Sequence, residues 1–136
     1  ITISASPTTA TVAYGGTKAL TGTTSNGTIA WTLPTGQGTL SAATGTASTY
    51  TAPAFANQLA DLTATVTLTN SLSSAKTATS VITVKTFNVN GDSVIDLRDI
   101  LTLALDWGTA SSRSDLNGDG IVDLADLTLL QNALGL

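Results

Sequence analysis

A twelve-residue acidic stretch, Asp115 to Asp126 (DLNGDGIVDLAD), restricts what this chain can fold into more than any other segment. Counted from Asp115, oxygen-bearing side chains fall at positions one, three, five, nine and twelve: Asp115, Asn117, Asp119, Asp123 and Asp126. Position seven offers the backbone carbonyl of Ile121, and Gly120 at position six allows a left-handed turn without a Cβ clash. Four carboxylates this close repel one another unless something neutralises them. A hard cation does so with six to eight oxygens at about 2.3–2.6 Å, and this spacing wraps a short loop around one such centre. The alternative reading is a solvated acidic turn.

The pattern recurs 27 residues earlier. Asn88 to Asp99 (NVNGDSVIDLRD) places Asn88, Asn90, Asp92, Asp96 and Asp99 at the same five positions, with the Val94 carbonyl at seven. Residues 87–109 laid on 114–136 share eight identities, from Asn90/Asn117 to Gly108/Gly135, which marks a short internal duplication. The copies are unequal. The first has three carboxylates against four, and ligand charge tunes calcium affinity. It also has Ser93 at position six, where a left-handed turn around a Cβ costs about 1 kcal/mol. The first site is therefore expected to be the weaker, and a degenerate loop without metal is its alternative. Two Ca2+ ions are the expected cofactors.

Each loop leads into a helical pattern. The first runs from Leu97 to Trp107 and the second from about Leu124 to Leu134, and Gly108 and Gly135 are expected as left-handed caps. No helical pattern precedes either loop, so each unit is half an EF-hand, ending in aspartate where a typical EF-hand has glutamate. The apolar residues of the first helix span roughly 200° of arc, about twice a core-facing stripe. The second helix should cover part of this through Leu127, Leu130 and Leu134. The remainder faces either the N-terminal half or an external partner, and an uncovered apolar patch on so small a unit is a candidate binding surface.

The duplicated loop–helix unit with aspartate at position twelve resembles a dockerin, over Phe87 to Leu136. That resemblance implies calcium ligation by Asn88, Asn90, Asp92, Val94, Asp96 and Asp99 and by Asp115, Asn117, Asp119, Ile121, Asp123 and Asp126. It also implies a cohesin-like partner domain, as in cellulosomes of polysaccharide-degrading systems. The implied partner surface is Leu97, Arg98, Leu101, Leu105, Leu124 and Ala125. In many dockerins a Ser-Thr pair at positions ten and eleven faces the cohesin. Leu97-Arg98 and Leu124-Ala125 stand there instead, so that type's partner preference does not carry over. The repeat allows two opposed binding orientations, although Arg98 against Ala125 breaks the symmetry.

The N-terminal half differs in kind. Residues 1–86 hold 24 of the 27 threonines and only four charges, Lys18, Asp61, Lys76 and Lys85. Residues 87–136 hold eight aspartates and two arginines. The acidity is thus local, which suits cations and not nucleic acid, whose partners need a basic footprint. Period-two alternation is clearest over Leu62–Thr69 and Thr77–Val84, and Gly, Pro and Asn breaks recur at short spacing, as in an all-β sandwich. SPTTATVAYGGT, IAWTL, GTLSAATGTASTYTAP and ATVTLTN…TATSVITV, in that order, resemble bacterial immunoglobulin-like domains over residues 1–85, with Trp31 as the core tryptophan. The fold expected from both resemblances is two domains. Residues 1–85 would form an all-β immunoglobulin-like sandwich of X-module type, and residues 86–136 a small all-α dockerin fold with paired EF-hand-like calcium loops. With no linker at Thr86, Phe87 is expected at the seam.

Composition narrows function further. There is no cysteine and no histidine, which removes thiol nucleophiles, disulfides and the commonest general base. Seven of the nine carboxylates lie in the loops, leaving Asp61 and Asp106 as lone groups, so no enzyme is expected. No run of eighteen apolar residues spans a membrane. Ile1 falls in a strand-like run, which suggests a piece of a longer protein. Millimolar calcium favours an extracellular or cell-surface setting. The expected function is a non-catalytic, calcium-dependent docking module, monomeric when free, which binds a cohesin-like domain and attaches its parent protein to an assembly. The alternative is a calcium-stabilised terminal module that packs intramolecularly and recruits no partner.

Overall fold

Alternating small polar and apolar residues build eight strands, two sheets and the first of two apolar clusters. A computed structural model describes residues 1–136. Its elements are β1 (Ile3–Ser6), β2 (Thr9–Ala13), β3 (Thr17–Thr24), β4 (Ile29–Thr32), β5 (Thr39–Leu40), β6 (Ala47–Thr51), β7 (Leu62–Asn70), β8 (Thr77–Lys85), α1 (Leu97–Leu105) and α2 (Leu124–Leu134). One sheet has the order β1-β3-β6-β5 and the other β2-β8-β7-β4. All pairings are antiparallel except β2 with β8, which run parallel with Thr9 opposite Val81 and Ala13 opposite Lys85.

The alternation of β7 explains the layering. Ala64, Val66 and Leu68 are fully buried while the threonines between them are not, because successive side chains leave a strand on opposite faces. They meet Leu20, Ile29, Trp31, Tyr50, Ile82 and Val84 in the first cluster. Trp31 is core, and its indole N–H donates to the Gly45 carbonyl at 2.7 Å. Gly22 lets the sheets approach: a Cβ there would lie 2.5 Å from Leu68 Cδ2. Asn70 is buried but fully paired. Its amide donates to Thr24 Oγ1 and the Asn26 carbonyl, and its Oδ1 accepts from the Leu72 and Ser73 N–H groups.

The expected division into an immunoglobulin-like sandwich and an all-α dockerin fold is not what forms. The protein is one β-rich domain of two sheets carrying only two short helices, with no all-α second domain. The physical reason lies in the second apolar cluster, because the helices do not close a core of their own. Leu103, Leu116, Val122 and Leu130 are fully buried there together with Ala13, the last residue of β2. Tyr14 packs against both clusters. Phe55, from the β6–β7 connection, meets Phe87 edge-on with ring centroids 5.1 Å apart. About fifty residues form a marginal core by themselves, and side chains of the sheets complete this one.

Polar contacts tie the same seam. Asp61 accepts from Lys85 Nζ at 3.0 Å and from the Thr86 N–H at 2.8 Å. Thr86 Oγ1 donates to the Gln58 carbonyl at 2.6 Å. Gly118, inside the second acidic loop, lies so close to β2 that a Cβ would sit 2.5 Å from Thr11 Cβ. Leu127 and Leu134 pack against the second cluster beside Leu130, on the inner face of α2.

Candidate metal centre

The two acidic loops share a framework of bonds from backbone amides to side-chain oxygens. In the second loop Asp126, fully buried, accepts from the N–H groups of Leu116 (2.7 Å), Asn117 (3.2 Å) and Asp123 (2.9 Å). In the first, Asp99, also fully buried, accepts from Asn90 (3.1 Å) and Asp96 (2.8 Å). Asp96 and Asp123 cap the N-termini of α1 and α2 by accepting from Arg98 N–H and Ala125 N–H. With Asp99 and Asp126 answering from the third helical position, each helix starts in a reciprocal capping box. Asn90 and Asn117 each accept from the N–H two residues on, at 3.0 Å, and donate to that residue's carboxylate, also at 3.0 Å. Asp92 and Asp119 then accept from the N–H groups of Val94 and Ile121.

This folding gathers Asp115, Asp119 and Asp126, each offering one oxygen, with all three atoms within 4.8 Å of one another. Two oxygens on one calcium ion lie at most about 5 Å apart, so the triad fits that radius. The Val94 and Ile121 carbonyls at position seven accept no hydrogen bond within the protein. Asp123 lies outside the triad, its carboxylate turned to the helix cap; position nine of such loops often acts through water. In the first loop Asn88 is 7% exposed, and its Oδ1 is the one buried side-chain polar atom without a partner. Its Nδ2 faces two carbonyls, of Asp92 (2.5 Å) and Leu59 (3.2 Å), which fixes the amide's orientation and leaves the oxygen free.

The charge of the loops would suit a cation. The only ion pairs in the protein are Lys85–Asp61 and Arg113–Asp106. All seven loop carboxylates therefore lack a basic partner, including two that are wholly buried. Backbone N–H groups are the only donors to the two buried carboxylates, so a cation in the loop would be the first positive charge beside them.

Two local expectations are corrected. Ser93 does not adopt a left-handed conformation: Asn57 is the only non-glycine residue with positive φ. The left-handed step shared by both loops is at position four, where Gly91 and Gly118 both have φ of 76°. Strain at Ser93 is thus no reason for a weaker first site, and the charge difference remains. α1 also ends early, at Leu105, with Asp106 as its C-cap and not Gly108; Gly135 caps α2 with φ of 75°.

Asp106 and Asp61 are not lone groups. Arg113 Nε and Nη2 donate to the Asp106 carboxylate at 2.7 and 3.0 Å, and Ser114 Oγ lies 2.5 Å from it. These bonds from Arg113 and Ser114 hold the Asp106 carboxyl well below the usual carboxylate range. They fasten the end of α1 to the entrance of the second loop. Nothing local in sequence marks this pair, seven residues apart across a turn.

The outer face of α1 is apolar and open. Leu97, Leu101 and Leu105, at intervals of four, are 61, 66 and 82% exposed, and Arg98 and Ala104 flank them. Leu124 is 65% exposed and Ala125 and Thr128 are exposed beside it on α2. The six residues expected to meet a partner are thus all at the surface, while Leu103 and Leu130 point inward.

The chain matches no protein-family model and no curated protein sequence. Together with the single β-rich domain, this sets aside the resemblance to dockerins and to bacterial immunoglobulin-like domains.

Proposed function

We propose that the chain is a non-catalytic, calcium-dependent docking module that attaches its parent protein to an extracellular or cell-surface assembly. The observation that carries this reading is the pairing of two features on one small unit. Two duplicated loops carry seven carboxylates with no basic partner, three of them brought within 4.8 Å in the second loop, and the helix leaving the first loop presents an open leucine stripe. Calcium is held by Asp115, Asn117, Asp119, Ile121 and Asp126 in the second loop, and Asp123 acts through water. Asn88, Asn90, Asp92, Val94, Asp96 and Asp99 hold it in the first. The free Asn88 oxygen supports the first site. When bound, the ion neutralises the carboxylates; at a thousandfold excess over its dissociation constant it adds about 4 kcal/mol of stability.

Coupling from ion to surface runs through the caps. Asp96 and Asp99 belong both to the first loop and to the first turn of α1, so an ordered loop orders the helix that carries Leu97, Leu101 and Leu105. The partner is a folded protein domain with an apolar patch, and cohesin-like domains are the class to test first. A structural role without a partner is favoured by the inward face of the helices, which shares its core with the sandwich.

The two readings separate in a pull-down of cohesin-like domains in calcium and in chelator, with Leu101→Asp as the surface variant. Docking requires capture in calcium, loss in chelator and loss in the variant. Capture that ignores both chelator and substitution contradicts it, and absence of capture with an unchanged calcium-dependent melting point supports the structural role.

A further inference from the structure

Asn-Gly steps are chemically labile, because glycine leaves the following amide nitrogen unhindered near the asparagine side chain. The two loops contain the same tripeptide, Asn90-Gly91-Asp92 and Asn117-Gly118-Asp119, so local sequence gives them equal intrinsic reactivity. The structure treats them differently. In the second loop Gly118 N–H donates to Asp115 Oδ1 at 2.8 Å, which holds the nucleophilic nitrogen away from the side chain. In the first, Asn88 replaces that aspartate and its Oδ1 has no partner, and Gly91 N–H makes no hydrogen bond. Gly91 is exposed, with open space around its Cα. Asp92 N–H donates to Asn90 Oδ1 at 3.0 Å; Asp119 N–H donates to Asn117 Oδ1 at 3.0 Å but shares that proton with Asp115 Oδ1 at 3.2 Å. Such a donor stabilises the oxyanion that forms when the amide carbon is attacked.

We propose that Asn90 is a site of spontaneous deamidation and that Asn117, in the same sequence context, is protected by Asp115. Gly91 N loses its proton and bonds to Asn90 Cγ, the Cγ–Nδ2 bond breaks, and ammonia departs with that proton. Water then opens the resulting succinimide at either carbonyl, giving aspartate or isoaspartate at position 90. The aspartate product raises the first loop from three carboxylates to four, the number in the second. The isoaspartate product adds a methylene to the loop backbone and spoils the spacing. The third Asn-Gly step, Asn26-Gly27, has a different geometry: the Gly27 N–H donates to Asn26 Oδ1 at 2.9 Å, and the Asn26 carbonyl accepts from Thr24 Oγ1 and Asn70 Nδ2.

The test is peptide mapping by mass spectrometry of the whole chain aged in mildly alkaline, calcium-free buffer. The temperature is one where circular dichroism shows sheet and helices intact, and a parallel sample is kept in denaturant. In denaturant the two sites should convert at similar rates. In the folded chain Asn90 should convert roughly tenfold faster than Asn117, the factor that one hydrogen bond to a charged group supplies. Equal rates in the folded chain, faster conversion at Asn117, or no conversion at Asn90 would overturn the proposal.

Discussion

Phe87→Ala tests most sharply whether helices and sheets share one cooperative unit. Phe87 is 3% exposed, directly follows the β8 seam, and meets Phe55 edge-on at 5.1 Å among Ala13, Leu103, Leu116 and Leu130. Removing a buried phenyl ring costs about 3–5 kcal/mol in transfer and cavity terms, and the edge-on pair is part of that loss. A chain of this length has roughly 7–20 kcal/mol of stability, so the variant folds with a visible deficit. At about 3 °C per kcal/mol for this size, the melting point should fall by roughly 10–15 °C. Calorimetry should record a single displaced transition, and circular dichroism of strand and helix should melt together. If the helical signal vanished early while the sheet melted at the wild-type temperature, the shared core would be refuted and the chain would consist of two independent units.

Other changes probe the loops and the surface. Asp126→Asn puts an NH2 group among the backbone donors of Leu116, Asn117 and Asp123; it should cost about 2–3 kcal/mol in chelator and abolish the calcium-induced rise in melting point contributed by the second loop. Leu101→Asp, on a side chain 66% exposed, should leave stability within about 0.5 kcal/mol of wild type while removing partner capture. Because its folded-state pKa is depressed, Asp106 contributes stability that is complete above about pH 4 and is lost as pH falls further. Wild type should therefore exceed Asp106→Asn in melting point at pH 7, and the gap should close in acid; a gap independent of pH would refute that role.

The strands were legible because their information is local. Leu62–Thr69 and Thr77–Val84 alternate so regularly that β7 and β8 follow from the pattern, and the helix starts at Leu97 and Leu124 follow the acidic stretches that cap them. What sequence did not show depends on distant residues. The two-residue β5 lies among Gly and Ser and has no period to read. Pairing of β2 with β8 joins residues some seventy apart. The single domain rests on Ala13, Tyr14 and Phe55 completing the helical core, and no helical pattern in residues 87–136 discloses that borrowing. The bonds from Arg113 and Ser114 to Asp106, at the end of α1, likewise form only after the chain has turned back. A repeat in sequence is not a repeat in every backbone angle: Gly120 is left-handed at position six and Ser93 is not, while Gly91 and Gly118 share the left-handed step at position four.

Isothermal titration of the purified, chelator-treated chain with calcium tests the central claim most directly. Two exothermic or endothermic binding events should appear, the tighter at the loop with four carboxylates, and the melting point should climb with free calcium. A titration without heat, from a protein whose unfolding is indifferent to chelator, would contradict the account.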